Sequence, residues 1–219
     1  VPARKRSGKE EGMEQKPALE LYSQIVNPLI RWYEENARVL PWREDGEPYH
    51  VWLSEIMLQQ TRVEAVKGYY SRFLQALPTI AELAAVEDDR LMKLWEGLGY
   101  YNRARNLKKA AQVIIQQYKG IFPRDYNQIL DLPGIGAYTA GAVCSICFNQ
   151  PTPAVDGNVL RVMARITEDW EPIEKPAMKK RVTEALAEVY PDLAGQQCFL
   201  GENSKFTQSL MELGATVCI

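Results

Sequence analysis

The chain contains no apolar run near the roughly 18 residues that a membrane helix requires. Its opening also lacks the apolar stretch of a secretory signal peptide. Four cysteines scattered through 219 residues do not read as a disulfide framework and point to a reducing, cytoplasmic setting. The single histidine, His50, precedes Val51 and Trp52 and reads as a loop residue rather than a general base. Neither sign of charge dominates: 26 Lys and Arg face 28 Asp and Glu, a net charge of −2. That balance excludes a uniformly basic nucleic-acid coat and confines any DNA-binding face to a local concentration of charge. Alternating apolar–polar runs and Asn-Gly turns are missing too, and with them the signals of β-structure.

Helical periodicity is what remains. Residues 1–18 are charged and aperiodic and read as a disordered leader or tag. From Leu19, apolar residues recur at threes and fours through Tyr33. After a loop carrying Leu-Pro-Trp at 40–42 and Pro48, residues 54–77 read as one long helical stretch. Residues 79–99 suggest two short helices, and further helices are expected over 102–118, 126–132, 138–148, 159–166, 177–189 and 206–213. The fold class read from this pattern is all-α.

Four segments carry chemistry. In LPGIGAYTAGA (132–142), Gly134 and Gly136 permit backbone angles closed to other residues and can bare N–H groups at the mouth of the next helix. Such donors, with the helix dipole, suit a phosphate oxygen; a tight interhelical turn explains the glycines equally well. In PAVDGNVLRV (153–162), Asp156 or Asn158 suits a helix N-cap. An Asp there is favoured in its charged form, the state needed to stabilise a developing cation. In WLSEIMLQQTRV (52–63), Glu55 lies among apolar residues. Burial would raise its pKa, a nearby helix start would lower it, and a solvated first-turn Glu stays open. In GLGYYNRARNLKKAA (97–111), Tyr100 and Tyr101 precede Arg103, Arg105, Lys108 and Lys109. Rings beside cations suit an enzyme that unstacks a base, although core tyrosines and a solvated basic face fit the same pattern.

Together and in this order, the four segments resemble the MutY-type adenine DNA glycosylases of the helix-hairpin-helix glycosylase superfamily, over the chain from about Leu19 to its end. The resemblance implies two helical lobes, one of six helices over 42–151 and one built from 19–41 and 152–219. It implies a monomer in the bacterial cytoplasm, associated with the nucleoid, that removes adenine opposite 8-oxoguanine or guanine in double-stranded DNA. Glu55 would protonate adenine N7 and activate water, Asp156 would stabilise the sugar cation, and Tyr138 and Asn158 would support them. Tyr100 and Gln60 would enter the base stack. Arg38, Trp42, Arg43 and Gln208 would line the adenine pocket, with Leu58, Gly134, Gly136 and Arg161 in the DNA-binding set. Bifunctional relatives similar to endonuclease III place a lysine where Tyr138 stands. A phenol cannot replace that amine nucleophile, so a monofunctional enzyme is expected.

The resemblance also implies a 4Fe–4S cluster, of which only Cys218 in LGATVCI matches a ligand; one Cys cannot hold a cluster. Cys144 and Cys147 read as core, and Cys198 stands alone. The expectation is therefore a fragment without the full cluster or the domain that reads 8-oxoguanine, with weak discrimination between opposite bases. Ala137 stands where an Arg is frequent, and Thr207 where an Asn is usual. Three rival readings are a bifunctional thymine-glycol-type glycosylase/lyase, an idle DNA-binding hairpin module, and a helical domain with no nucleic-acid role.

Overall fold

The computed structural model describes the backbone of residues 8–190 and 201–219, with side chains from residue 19 onward within those spans. Among the described residues all regular structure is helical. Helix α1 (Gly8–Asn36) leads into a 3-10 turn (Pro41–Arg43), α2 (Pro48–Leu58), α3 (Val63–Ala76), α4 (Ile80–Ala85) and α5 (Asp88–Trp95). Then follow α6 (Asn102–Tyr118), α7 (Tyr126–Leu130), α8 (Ala137–Phe148), α9 (Gly157–Ile166), α10 (Pro176–Val189) and α11 (Glu202–Thr216). The all-α expectation holds. Among the described residues no helix is long and apolar enough to cross a membrane.

Buried side chains form two clusters. One runs through α2–α8 and includes Trp52, Phe73, Trp95, Leu107 and Val143; the other joins α1, α9, α10 and α11 through Leu29, Val159, Met163, Val182 and Phe206. The clusters change over between Ala154 and Val155, just before Asp156. A cleft between them is therefore walled by helices of both.

Three sequence expectations need correction. Helix α1 begins at Gly8, inside the stretch read as a leader; its Lys, Glu, Gln and Met residues are strong helix formers, which a search for apolar periodicity misses. The stretch 54–77 is two helices, broken over residues 59–62, where Gln60 adopts a positive φ of 57°. Pro48 opens α2 instead of belonging to a loop, as its fixed φ and missing N–H allow at a first helical position. His50 is consequently helical, with Nδ1 2.8 Å from Asp45 Oδ2.

Candidate active site

The cleft has a volume of about 1170 Å³. Glu55, Tyr138, Asp156, Asn158, Arg38, Trp42, Arg43, Leu58, Gln60, Tyr100 and Gln208 all line it, which brings together side chains from both ends of the chain. Glu55 lies toward the C-terminal end of α2, because the helix starts at Pro48. The expected influence of a nearby helix start is thus absent. The residue is 6% exposed and accepts a 2.7 Å hydrogen bond at Oε2 from the Tyr138 hydroxyl. Burial pushes its pKa up to about 7, and the neighbouring Asp156 adds to the rise; the Tyr138 hydrogen bond and the Arg43 charge oppose it. Burial, then the charges of Glu55 and Asp156, hold the Tyr138 hydroxyl in its protonated form. The Tyr138 hydroxyl is therefore the donor in its bond to Glu55.

Asp156 reaches this cleft because two helices admit close neighbours. Gly141 in α8 lets the Pro153 carbonyl approach so closely that a Cβ would stand 2.2 Å from its oxygen. Gly214 in α11 does the same for Asn158, with a Cβ 2.6 Å from that residue's own. Asp156 then caps α9: Oδ1 accepts from the Val159 N–H at 2.8 Å and Oδ2 from Asn158 Nδ2 at 3.0 Å. Capping and a place in the cleft coexist: each oxygen accepts one of these bonds, and Asp156 still lines the cleft. Arg161 does not line the cleft. Its guanidinium donates to Asn158 Oδ1 at 2.9 Å, to the Gly214 carbonyl at 2.7 Å and to the Cys218 carbonyl at 2.7 Å, so it steadies the Asn158–Asp156 pair from behind.

A residue that sequence reading missed dominates the α11 wall. Glu212 is 0% exposed, and its carboxylate is gripped by Arg38 (Nε–Oε1 2.6 Å, Nη2–Oε2 3.0 Å) and by Arg43 (Nη2–Oε2 2.8 Å). Burial by itself would push Glu212 up, but the hydrogen bonds and charges of Arg38 and Arg43 hold it below the ordinary carboxylate value. The Arg43 guanidinium also lies 5.5 Å from the centre of the Tyr33 ring. The Tyr33 hydroxyl donates to Gln208 Oε1 at 3.0 Å, and Gln208 Nε2 to Ser204 Oγ at 3.3 Å. Trp42 packs edge-on to Tyr70 with ring centres 5.4 Å apart. The available signal for Glu212 was its place between Leu210, Met211 and Leu213, where a solvated Glu would not be expected.

At the cleft mouth, Gln60 and Tyr100 both take positive φ (57° and 47°), and Tyr100 is 65% exposed. Arg103, expected in a phosphate-binding cluster, is instead a clamp between them. Its guanidinium donates to the carbonyls of Ile56, Met57 and Gln59 at 2.6–3.1 Å and to those of Leu98 and Gly99 at 3.0 and 3.3 Å. It thus takes up the unpaired carbonyls at the end of α2. Lys108 pairs with Asp88, while Arg105 donates to Asn102 at 3.1 Å. Gly134 and Gly136 lie away from the cleft, on the exposed turn between α7 and α8, and Gly134 has φ 79°. A Cβ on Gly134 would stand 2.6 Å from Asn106 Cβ, so that glycine is needed for both angle and space. Gly136 caps α8 without any side-chain bond, leaving its first-turn donors without a side-chain acceptor.

A 4Fe–4S cluster needs four converging thiolates. Cys144 and Cys147 are buried in the first core, and burial pushes the Cys144 thiol up to about 12 and raises Cys147 well above its usual value. Cys218 packs against the second core and accepts from Arg165 Nη1 at 3.0 Å. Cys198 lies outside the described residues. Among the described residues no three His, Cys, Asp or Glu side chains converge as a metal site. These thiols do not fit a cluster.

Comparison with known proteins accords with this geometry. The model of the HhH-GPD superfamily of base excision DNA repair proteins matches residues 53–191. The chain belongs to that superfamily. It is 39% identical, over 91% of its own length and 54% of the relative's, to the adenine DNA glycosylase of Buchnera aphidicola subsp. Acyrthosiphon pisum. Against the human adenine DNA glycosylase the identity is 40%, covering 87% of this chain and 35% of that one. The chain thus spans about half, or less, of the curated relatives it matches. A solved thermostable thymine-DNA glycosylase superposes with a TM-score of 0.78 at 27% identity, covering 91% of this chain and 88% of that one. A trapped endonuclease III–DNA covalent intermediate superposes at 0.72 with 23% identity, covering 90% and 88%, and shares the superfamily fold.

Proposed function

We propose that the protein is a monofunctional adenine DNA glycosylase of base excision repair, acting on adenine opposite 8-oxoguanine or guanine in duplex DNA. The observation that carries the reading is a buried Glu55, hydrogen-bonded to Tyr138, in the same cleft as Asp156, where burial pushes its pKa up to about 7. Two carboxyl groups with different environments are the usual equipment for breaking a glycosidic bond. The adenine is flipped into the cleft, with Arg38, Trp42, Arg43 and Gln208 around it and Leu58, Gln60 and Tyr100 at the vacated stack. Glu55 gives its proton to N7, the C1′–N9 bond breaks, and its electron pair leaves with neutral adenine. Asp156, oriented by Asn158, faces the sugar cation. Water adds to C1′ and yields its surplus proton to Glu55, which restores the acid and leaves an abasic site.

A carboxylate about 4 Å from a full cation is worth roughly 4 kcal/mol at an effective dielectric near 20, about a thousandfold in rate. We assign the exposed turn at Gly134 and Gly136 to the DNA backbone, and the two buried clusters to two lobes holding the duplex between them. Tyr138 and a cleft without lysine among its described lining residues favour hydrolysis over Schiff-base chemistry. The test is single-turnover release of free adenine from an adenine:8-oxoguanine duplex, with a hot-alkali step to separate abasic sites from nicks. Wild type is expected to release adenine and leave alkali-labile, uncut strands; Glu55→Gln is expected to release it at least about 10³-fold more slowly. Substantial release by Glu55→Gln contradicts the assignment, and efficient nicking without alkali supports the bifunctional rival.

A further inference from the structure

Glu212 has no role in the reaction sequence above, yet it is the most completely paired carboxylate in the cleft. Arg38 takes both of its oxygens and Arg43 takes Oε2. Arg43 is held to the same wall by a 3.3 Å bond to the Arg38 carbonyl and by the Tyr33 ring. Glu55 lines the same cleft with, among the described residues, a single hydrogen bond, the one from Tyr138. A guanidinium freed from Glu212 would find in Glu55 a carboxyl with a vacant oxygen.

We propose that Glu212 is a positioning residue that keeps Arg43 from pairing with Glu55, so that Glu55 retains the proton it hands to the leaving purine. The inference rests on reading Glu55 as the general acid. The groups around Glu55 are Tyr138 and Cys147 from α8, Asp156 from the α9 cap and Arg43 from the 3-10 turn, with Arg38 and Glu212 beyond it. Of the other cleft cations, Arg103 is committed to five carbonyls, while Arg62 and Arg105 are exposed. Arg43 is the cation whose charge already acts on Glu55. A closer approach would strengthen that pull, since an opposite charge within a few ångströms lowers a carboxyl pKa by about 1–3.

The experiment has two readouts. Single-turnover adenine release is followed against pH for wild type, Glu212→Gln and the double variant Arg43→Gln/Glu212→Gln. Glu55 is also titrated by carboxyl ¹³C NMR in the DNA-free protein, its resonance assigned with Glu55→Gln. In Glu212→Gln both midpoints should fall by about 1 pH unit or more. Release at pH 8 should drop roughly tenfold and recover at pH 5.5. Removing Arg43 as well should return the NMR midpoint to its wild-type position. A Glu212 that only supports the fold would lower the melting temperature and leave the midpoint in place. That result, or a midpoint still low in the double variant, overturns the proposal. If Glu212→Gln does not fold, Arg43→Gln decides: a midpoint within about half a pH unit of wild type supports an arginine held away. A rise beyond about 1 unit shows Arg43 already paired with Glu55 and overturns the idea. A wild-type protein that releases no adenine refutes the proposed activity, whereas the NMR titration still judges Glu212.

Discussion

Glu55 on α2 and Glu212 on α11 are both buried in one cleft, yet their environments push them in opposite directions. Glu55 has a phenol and a second carboxylate for neighbours and holds a proton to about pH 7. Glu212 has two guanidiniums and stays below the ordinary carboxylate value in spite of its own burial. Burial raises a carboxyl pKa until a paired cation offsets it. The difference gives the cleft one wall with a carboxyl that holds its proton and another that fixes two cations.

Substitutions can break this contrast in a graded way. The largest effect is expected from Glu55→Gln, which removes the proton donor and should slow single-turnover adenine release by at least about 10³-fold. Asp156→Asn keeps the shape of the cap but removes the negative charge, and a loss of about 10²–10³-fold is expected in the same assay. On stability, Glu212→Gln strands Arg38 and Arg43 without their shared anion and should cost about 3–5 kcal/mol near pH 7 in denaturant unfolding. Because the folded pKa of Glu212 is depressed, that deficit should shrink as pH falls through the folded value.

Glu55→Gln should move stability the other way. Between pH 4.5 and about 7 folded Glu55 keeps a proton that the unfolded chain releases, so wild type loses stability as pH rises through this window. Above pH 7 the variant should be more stable by roughly 3 kcal/mol, an advantage that fades toward pH 4.5. The smallest effect is expected from Tyr138→Phe. It deletes one hydrogen bond to a protonated Glu55, worth about 0.5–1.5 kcal/mol, and should shift the Glu55 NMR titration upward.

Much of the site was legible because its chemistry is local in sequence. The glycine turn before α8, the Asp156 cap and the apolar setting of Glu55 are each visible within a dozen residues. The parts that were missed depend on partners far along the chain. Glu212 meets Arg38 across 174 residues, and Arg103 reaches the carbonyls at the end of α2 from 44–47 residues away. Residues 54–77 read as one stretch because their periodicity continues, while the break at 59–62 is stabilised by that remote arginine. Helical spacing likewise gave no hint that Gly141 and Gly214 are where Pro153 and Asn158 come in, although these contacts are what bring Asp156 to Glu55's cleft.

At pH 6 one glutamate in the cleft should be protonated while the other is bare. Neutron diffraction from perdeuterated crystals grown at pH 6 tests this directly. Deuterium density is expected on the Glu55 carboxyl, none on Glu212, with fully deuterated Arg38 and Arg43 facing Glu212. A bare Glu55 carboxylate paired with Arg43 would contradict it.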